Sequence, residues 1–321
     1  MRDAAPMRNL SQMSHKTPAA TALEALRTAQ LLPYSALTAE IRLVLADPGV
    51  QVPPRMVQRL PGNASLFVMP AADNVTAIAK LITWTPGNSR IGLPTIQGDV
   101  VVFDVATGQR RLILDGPTVT ARRTAAVSLV AAQCKAPQRG GCMLIVGAGV
   151  QGRAHLDAFV EEFSIQEVVI ASRSMRSAEA LSQYAQSLGV KARTTSTPNA
   201  ELTHCSIVVT CTPANAVVLD GPVPDQLFVA AVGAFTPHMR ELGSTLCQHI
   251  ARTGTIVVDT RDATQEAGDL LQAGLDVAAI PSLCDVVGGT AHGQSGPVLF
   301  KSCGWAGWDL AAARVALQRM G

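Results

Sequence analysis

The run CMLIVGAGVQGRAHLDAFVEEF, starting at Cys142, constrains the fold more than any other stretch of the chain. An uninterrupted apolar segment leads into Gly147-Ala148-Gly149-Val150-Gln151-Gly152, and a helical pattern follows at once. G-x-G-x-x-G between a strand and a helix is the turn of a dinucleotide-binding βαβ unit. The first glycine makes the tight turn, the second lets backbone approach a pyrophosphate, and the third lets helix and strand pack closely. Unpaired N–H groups in the first turn of the helix then face phosphate oxygens. The competing reading is a glycine turn with no ligand, and the flanking strand and helix argue against it.

The same rhythm continues beyond the turn. EVVIASR, SIVVTCT, LFVAAVGA, TIVVDT and DVAAIP read as buried strands, and SAEALSQYAQSLG as a helix closed by Gly189. Continuous apolar strands alternating with helices predict a parallel sheet covered on both faces. After about residue 285 a Gly-rich loop leads into a final helix within FKSCGWAGWDLAAARVALQRM. The first 120 residues differ. Helical spacing over residues 21–48 gives way to short alternating runs, QRLP, SLFVMPA, TAIAKLITW, GDVVVFDV and RRLILDG, with a hairpin turn at Thr107-Gly108. An Ala-rich helix over residues 118–134, opened by threonines suited to capping, joins the two parts. The fold class is therefore α/β, a Rossmann-type doubly wound parallel sheet with a smaller α+β unit.

Composition narrows the function. A hydrophobic fraction of 48% fills a sizeable core, and a net charge of +2 carries no footprint for nucleic acid or a membrane surface. No stretch is long and apolar enough to span a bilayer. Residues 1–20 lack an apolar secretory core and read as a flexible tail, so a cytoplasmic location is expected. The seven cysteines are scattered and contain no CxxC pair, which argues against a disulfide framework and against bound metal. They read as reduced, mostly buried thiols.

The end of the second Rossmann strand selects the cofactor. An acidic residue about 20 positions beyond the glycines commonly binds the ribose 2′-hydroxyl of NAD. Here the chain reads Ser172-Arg173-Ser174-Met175-Arg176, with no carboxylate. The serines suit ribose hydroxyls, and Arg173 and Arg176 suit a 2′-phosphate. NADPH is the expected cofactor, with NADH possible. The alternative is that both arginines are solvated surface charges.

Several stretches together resemble the ornithine cyclodeaminase/μ-crystallin family. They are Thr120-Ala-Arg-Arg-Thr-Ala-Ala126, Gly147–Gly152, Val232-Gly233-Ala234 followed by Pro237 and Arg240-Glu241-Leu242, Glu266-Ala-Gly-Asp269, and Phe300-Lys301-Ser302. The resemblance implies a substrate-binding and dimerisation domain of residues 21–130 and 300–321, and a dinucleotide-binding domain of residues 131–299. It also implies a homodimer. Carried over residue by residue, it places Arg55, Lys80 and Arg123 in a cationic substrate pocket. Thr95, with Pro94 and Gln97, falls on the nicotinamide side, and Arg123 is near the cofactor too. Thr210, Thr212, Gly233 and Ser302 fall at cofactor contacts, and Asp285 where members keep an acid facing substrate. For Asp285 the alternative is a helix cap or a turn residue. A lone lysine at position 80 of an apolar strand is expensive to bury without an anion and otherwise snorkels to solvent. Arg122 points about 100° away from Arg123 round the helix and is expected at the surface.

One departure bears on the reaction. Cyclodeaminases of this family carry Asp in a Gly-Asp-Cys-Pro context after the fifth Rossmann strand, and here Gly233 is followed by Ala234. Cyclodeamination needs a group to take protons from the substrate's amine. The expectation is therefore reduction of a small cyclic imino acid, Δ1-pyrroline-2-carboxylate to proline or its six-membered homologue to pipecolate. Lys80, Asp285 or an ordered water are the candidates for the imine proton. An ornithine cyclodeaminase or alanine dehydrogenase, and an NADPH-dependent binding protein like μ-crystallin, are the alternatives. His155 reads as a packing residue, and His292, in GGTAHGQSG, as a further candidate acid.

Overall fold

Period-two alternation in the first third of the chain pairs into a six-stranded sheet in the computed structural model, which describes residues 21–213, 216–291 and 295–320. The tail at 1–20 and His292 lie outside the described residues. Strand β1 (Thr21–Leu23) precedes helices α1 (Ala25–Leu31) and α2 (Tyr34–Ala46). Strands β2 (Met56–Arg59), β3 (Ser65–Ala72), β4 (Thr76–Trp84), β5 (Ile96–Asp104) and β6 (Arg110–Asp115) then meander antiparallel, in the order β1-β6-β5-β4-β3-β2. The hairpin between β5 and β6 turns at Thr107-Gly108 as expected, with Gly108 at a φ of 68°. β1 was not anticipated. It is a three-residue edge strand parallel to β6, too short to carry a period of its own.

Helix α3 (Gly116–Lys135) leaves this sheet for the second one. Its cap is Asp115, whose side chain accepts from the Thr118 N–H at 2.8 Å, so the helix starts before the threonines expected to open it. Residues are buried nearly all round α3, which suits a helix sandwiched between layers and explains its Ala-rich composition. Arg122 is not a plain surface residue. Its guanidinium lies over the Tyr34 ring at 4.0 Å and its Nε donates to the Leu32 carbonyl at 2.6 Å, tying α3 to α2.

The second sheet is parallel throughout. In chain order it contains β7 (Gly141–Val146), α4 (Val150–Phe163), β8 (Ile165–Ala171), α5 (Met175–Ser187), β9 (Lys191–Thr195), β10 (Ile207–Thr210) and β11 (Phe228–Ala231). There follow α6 (Ser244–Thr253), β12 (Thr255–Val258), α7 (Ala263–Glu266), α8 (Gly268–Gln272), α9 (Leu283–Val287), β13 (Val298–Lys301) and α10 (Ala306–Gln318). The strand order is β12-β13-β11-β10-β7-β8-β9, with the central strands buried on both faces. DVAAIP is not a strand: Val277–Ala279 form a 3-10 turn capped by the Asp276 side chain. The missing strand is β13, and it crosses the boundary expected at residue 300, so Phe300 and Lys301 belong to the parallel sheet. α10 then returns to pack on β3, β4 and α2. No described helix is long and apolar enough to cross a membrane.

Candidate active site

The dinucleotide cradle sits at the C-terminal ends of the parallel strands, where open α/β sheets bind ligands. β7 ends at Val146 and the chain turns at Gly147, whose φ is 119°. A Cβ there would lie 2.8 Å from the Cys211 carbonyl oxygen, and one on Gly152 would lie 2.1 Å from the Gly147 carbonyl oxygen. Both positions therefore exclude a side chain. Gly149, which caps α4, faces open space, with nothing within 4 Å of where a Cβ would stand. Val150 beside it is 70% exposed although apolar, and the buried Oε1 of Gln151 has no partner. An open glycine, uncapped helix N–H groups and an unsatisfied amide fit a dinucleotide diphosphate. On the neighbouring strand, Ser172, Arg173, Ser174 and Arg176 follow the end of β8, with both arginines exposed. The Ser174 hydroxyl caps α5 by accepting from Ser177 N–H at 3.3 Å.

A cleft of about 410 Å³ runs from this turn to the six-stranded sheet. At its floor lies Lys80, 1% exposed, pointing inward from β4. Its Nζ donates to the Asp309 carboxylate at 2.9 and 3.0 Å and to Thr120 Oγ1 at 3.4 Å. Arg123 Nε, from α3, donates to the same carboxylate at 3.1 Å. Burial pushes the Lys80 ammonium down to about 8; Asp309 opposes that shift and Arg123 adds to it. Arg55 enters from the far wall, where its Nε donates to Glu266 Oε1 at 3.0 Å and its Nη2 contacts the other oxygen. Burial raises the Glu266 carboxyl, against the pull of Arg55. Lys80 and Arg123 against Asp309 leave one positive charge, while Arg55 and Glu266 cancel. The cluster suits one small carboxylate.

The remaining walls are apolar. Phe67, Met69, Ile82, Trp84 and Phe235 line the cleft, and Phe235 meets Phe67 and Trp84 edge-on at centroid separations of 6.5 and 6.1 Å. A second buried network holds the strand ends that face the cleft. Glu241, fully buried, accepts from Thr212 N–H at 2.6 Å, Thr212 Oγ1 at 2.9 Å and Gly233 N–H at 2.7 Å. Asp269 accepts from the N–H groups of Glu241 and Leu242, and Lys301 Nζ sits 2.8 Å from its other oxygen. Lys301 also donates to the carbonyl of Ala234 at 2.5 Å, at the position where cyclodeaminases carry Asp. Ser302 lines the cleft, but its hydroxyl is committed to Asp259, whose Oδ2 also accepts from Cys303 and Gly304 N–H, all at 2.8 Å.

The structure thus brings together Arg55, Lys80, Thr95, Arg123, Gly149, Val150, Gln151, Thr212, Gly233 and Ser302 around one cleft, with Gly147, Ala148 and Gly152 forming the turn behind it. Asp285 is not there. It occupies the third position of α9 in a capping box with Ser282 and pairs with Arg261 at 2.6 Å, so its acceptors are spent on a helix end. Gln97 alternates with Ile96 on β5 and points away, exposed, while Pro94, Thr95 and Ile96 line the cleft. Thr210 is fully buried, its hydroxyl has no hydrogen-bond partner, and it does not line this cleft. His155 is buried between α4 and α3, bonded to Ser128 Oγ at 3.0 Å and the Gln151 carbonyl at 2.8 Å. Burial pushes its ring down to about 4, which keeps it neutral. Sequence reasoning missed Asp309, Glu266 as the partner of Arg55, and the fastening role of Asp259. For Asp309 a signal existed: it is the lone acid of AGWDLAAARVAL, whose other residues, Arg314 apart, are apolar or small.

A glycine-turn Rossmann sheet opening on an apolar-walled cationic cleft defines a dinucleotide-dependent protein for small anions. The chain belongs to the ornithine cyclodeaminase/mu-crystallin family, whose sequence profile matches residues 20–320. It is 37% identical over 302 residues to Delta(1)-pyrroline-2-carboxylate reductase 1 of Burkholderia multivorans, covering 91% of this chain and 94% of that one. It is 35% identical over 276 residues to the ketimine reductase mu-crystallin of Mus musculus, covering 84% and 85%. Among solved structures, the Delta(1)-pyrroline-2-carboxylate reductase of Thermococcus litoralis, in complex with NADH and L-proline, superposes with a TM-score of 0.85 at 24% identity. That match covers 93% of this chain and 96% of the other.

Proposed function

We propose that this chain reduces cyclic ketimines, Δ1-pyrroline-2-carboxylate to L-proline and Δ1-piperideine-2-carboxylate to L-pipecolate, preferring NADPH and accepting NADH. The carrying observation is the Lys80–Asp309–Arg123 cluster, buried beneath an apolar cleft that opens on the glycine turn. Arg123 and Arg55 hold the substrate carboxylate and fix its plane, and this positioning supplies much of the rate. The aromatic wall of Phe67, Trp84 and Phe235 takes the ring methylenes and keeps water from the imine carbon. Gly149, Val150, Gln151 and Thr212 hold the dinucleotide, with Arg173 and Arg176 on its 2′-phosphate; when bound, the reduced nicotinamide supplies the hydride for the imine carbon.

Lys80 protonates the imine nitrogen. Held near 8, it gives up a proton at neutral pH more readily than an ordinary lysine, and Asp309 keeps it aimed. One N–H bond forms on the substrate as one breaks on Nζ, and solvent returns the proton. Ala234 offers no carboxylate to take protons from a diamine, which counts against cyclodeamination.

The six-stranded part with α10 serves as the substrate and dimerisation unit, and the seven-stranded part as the dinucleotide unit. The outer face of the six-stranded sheet supports a homodimer, since Leu66, Val68, Leu81, Val101 and Ile113 alternate outward without full burial. Seven thiols unpaired in disulfides fit a cytoplasmic location. The test is NADPH oxidation, followed at the nicotinamide absorbance, with Δ1-pyrroline-2-carboxylate. Turnover that is lost in Lys80→Ala, with NADPH binding retained, is expected. Tight NADPH binding without turnover on either ring size would overturn the assignment.

A further inference from the structure

The N-terminal ends of the parallel strands, opposite the cradle, carry a second cluster that the reaction does not use. Cys142 is the second residue of β7 and Glu167 is its register partner on β8, so both side chains stand on one face. His204 and Cys205 precede β10, on the other side of β7. Cys142 Sγ and Cys205 Sγ approach to 2.9 Å, and His204 Nε2 lies 3.3 Å from Glu167 Oε1. The ligand atoms of Cys142, Glu167 and His204 all lie within 4.8 Å of one another. Both thiols are buried at the base of a hollow of about 490 Å³ that all four residues line, with His204 and Glu167 the more exposed. Arg193, whose Nε is 3.8 Å from Glu167, spends its guanidinium on a two-pronged pair with Glu201 and leaves the Glu167 carboxylate available.

We propose that Cys142, Cys205, His204 and Glu167 form a binding site for a divalent cation of the zinc class. Thiolate, imidazole and carboxylate are the donors such an ion takes, and it prefers four in a tetrahedron. Metal–ligand bonds of 2.0–2.3 Å place tetrahedral ligand atoms about 3.3–3.8 Å apart. The His204–Glu167 pair already has that spacing; the two sulfurs need to open by about 0.9 Å, and Cys205, which lies outside the group within 4.8 Å, must turn toward Glu167 and His204 to join it. Four donors from three segments leave no CxxC signature, which is why spacing along the chain argued against metal. Cys142 is five residues from Gly147, about 16 Å along the strand, so the ion stands apart from hydride transfer and clamps β7, β8 and the lead-in to β10.

The test is to strip the full-length protein with chelator under reducing conditions, titrate it with Zn²⁺ and with Co²⁺, and count bound metal by mass spectrometry. One ion per chain is expected, with a thiolate-to-Co²⁺ absorption band and a rise in Tm on Zn²⁺ addition. Cys142→Ser and His204→Ala should each weaken binding at least tenfold while ketimine turnover stays within twofold. His204 is at the surface, so its variant keeps the fold if Cys142→Ser does not. Binding below one ion per chain, a Co²⁺ complex without the thiolate band, or recovery of Cys142–Cys205 as a disulfide from freshly isolated protein would each overturn the site.

Discussion

Two buried lysines, each within 3 Å of a buried aspartate, have opposite fates in this molecule. Lys80 pairs with Asp309 at 2.9 Å and Lys301 with Asp269 at 2.8 Å, and all four side chains are at most 1% exposed. Burial alone pushes both ammonium groups down. Around Lys301 the Asp269 carboxylate above all, with Cys303 and Glu241 adding to it, outweighs burial and holds the proton more tightly than usual. Around Lys80 the cations Arg123 and Arg55 side with burial, and the pKa falls to about 8. Burial sets the size of the stakes, and the sign of the surrounding charge decides whether a lysine is a fastener or a proton source.

The comparison breaks most visibly at the fastener. Asp269→Ala leaves Lys301 charged and unpaired, and should cost about 3–5 kcal/mol in urea-induced unfolding. A loss under 1 kcal/mol would mean that water reaches Lys301. At the proton source the effect belongs in rate. Lys80→Ala should lower kcat for the cyclic imine by about 10²-fold or more, and wild-type kcat should fall tenfold per pH unit above about 8. A flat alkaline limb would remove Lys80 as donor. The two lysines also differ in linkage. Lys80 holds its proton up to about 8 in the fold but to 10.5 when unfolded, so between those values the unfolded chain binds the extra proton and stability rises with pH. Lys301, shifted upward, contributes fully below 10.5 and loses that contribution only as pH climbs through its folded value. The stability of wild type relative to Lys80→Met should therefore improve from pH 8 to 10.5 in urea titrations; a constant gap would restore an ordinary lysine.

Smaller effects sharpen the picture. Glu241→Gln keeps the shape but weakens the grip on Thr212 and Gly233, and should raise KM for the dinucleotide about tenfold with kcat less affected. An equal fall in both parameters would place Glu241 in the chemistry instead. Arg173→Ala should reduce the NADPH/NADH ratio of kcat/KM by up to about tenfold, worth about 1.4 kcal/mol. An unchanged ratio would leave Arg173 as a solvated surface charge.

What could be read from the chain alone followed local rules. The glycine turn has a fixed spacing and a required context, and the alternation in β3 to β6 survives because one face is buried. Lys80 stood out as a polar residue in an apolar strand. That Asp309 is its partner could not be read, because the two lie 229 residues apart and only the fold joins them. Asp285 misled for the converse reason: acid at that position serves a local capping box, a competing use that resemblance to relatives does not reveal. β13 was hidden because VLFK is four residues long and adjoins a glycine-rich loop, so no period could establish it. Gln97 was misassigned by one step of the strand alternation.

The position of β13 has a consequence for how the chain matures. Among the described residues β12 pairs with no strand but β13, and β13 is the last strand made, inserted between β11 and β12. During synthesis β12 must therefore wait without a strand partner, held only by the Val258–Ser282 bridge and open to association with other chains, until residues 298–301 emerge. The segment that ends this wait continues straight into α10, which delivers Asp309 to Lys80 and Arg123. Closure of the sheet and assembly of the charge cluster are then one late event, so a nascent chain that can still aggregate is also one that cannot yet turn over.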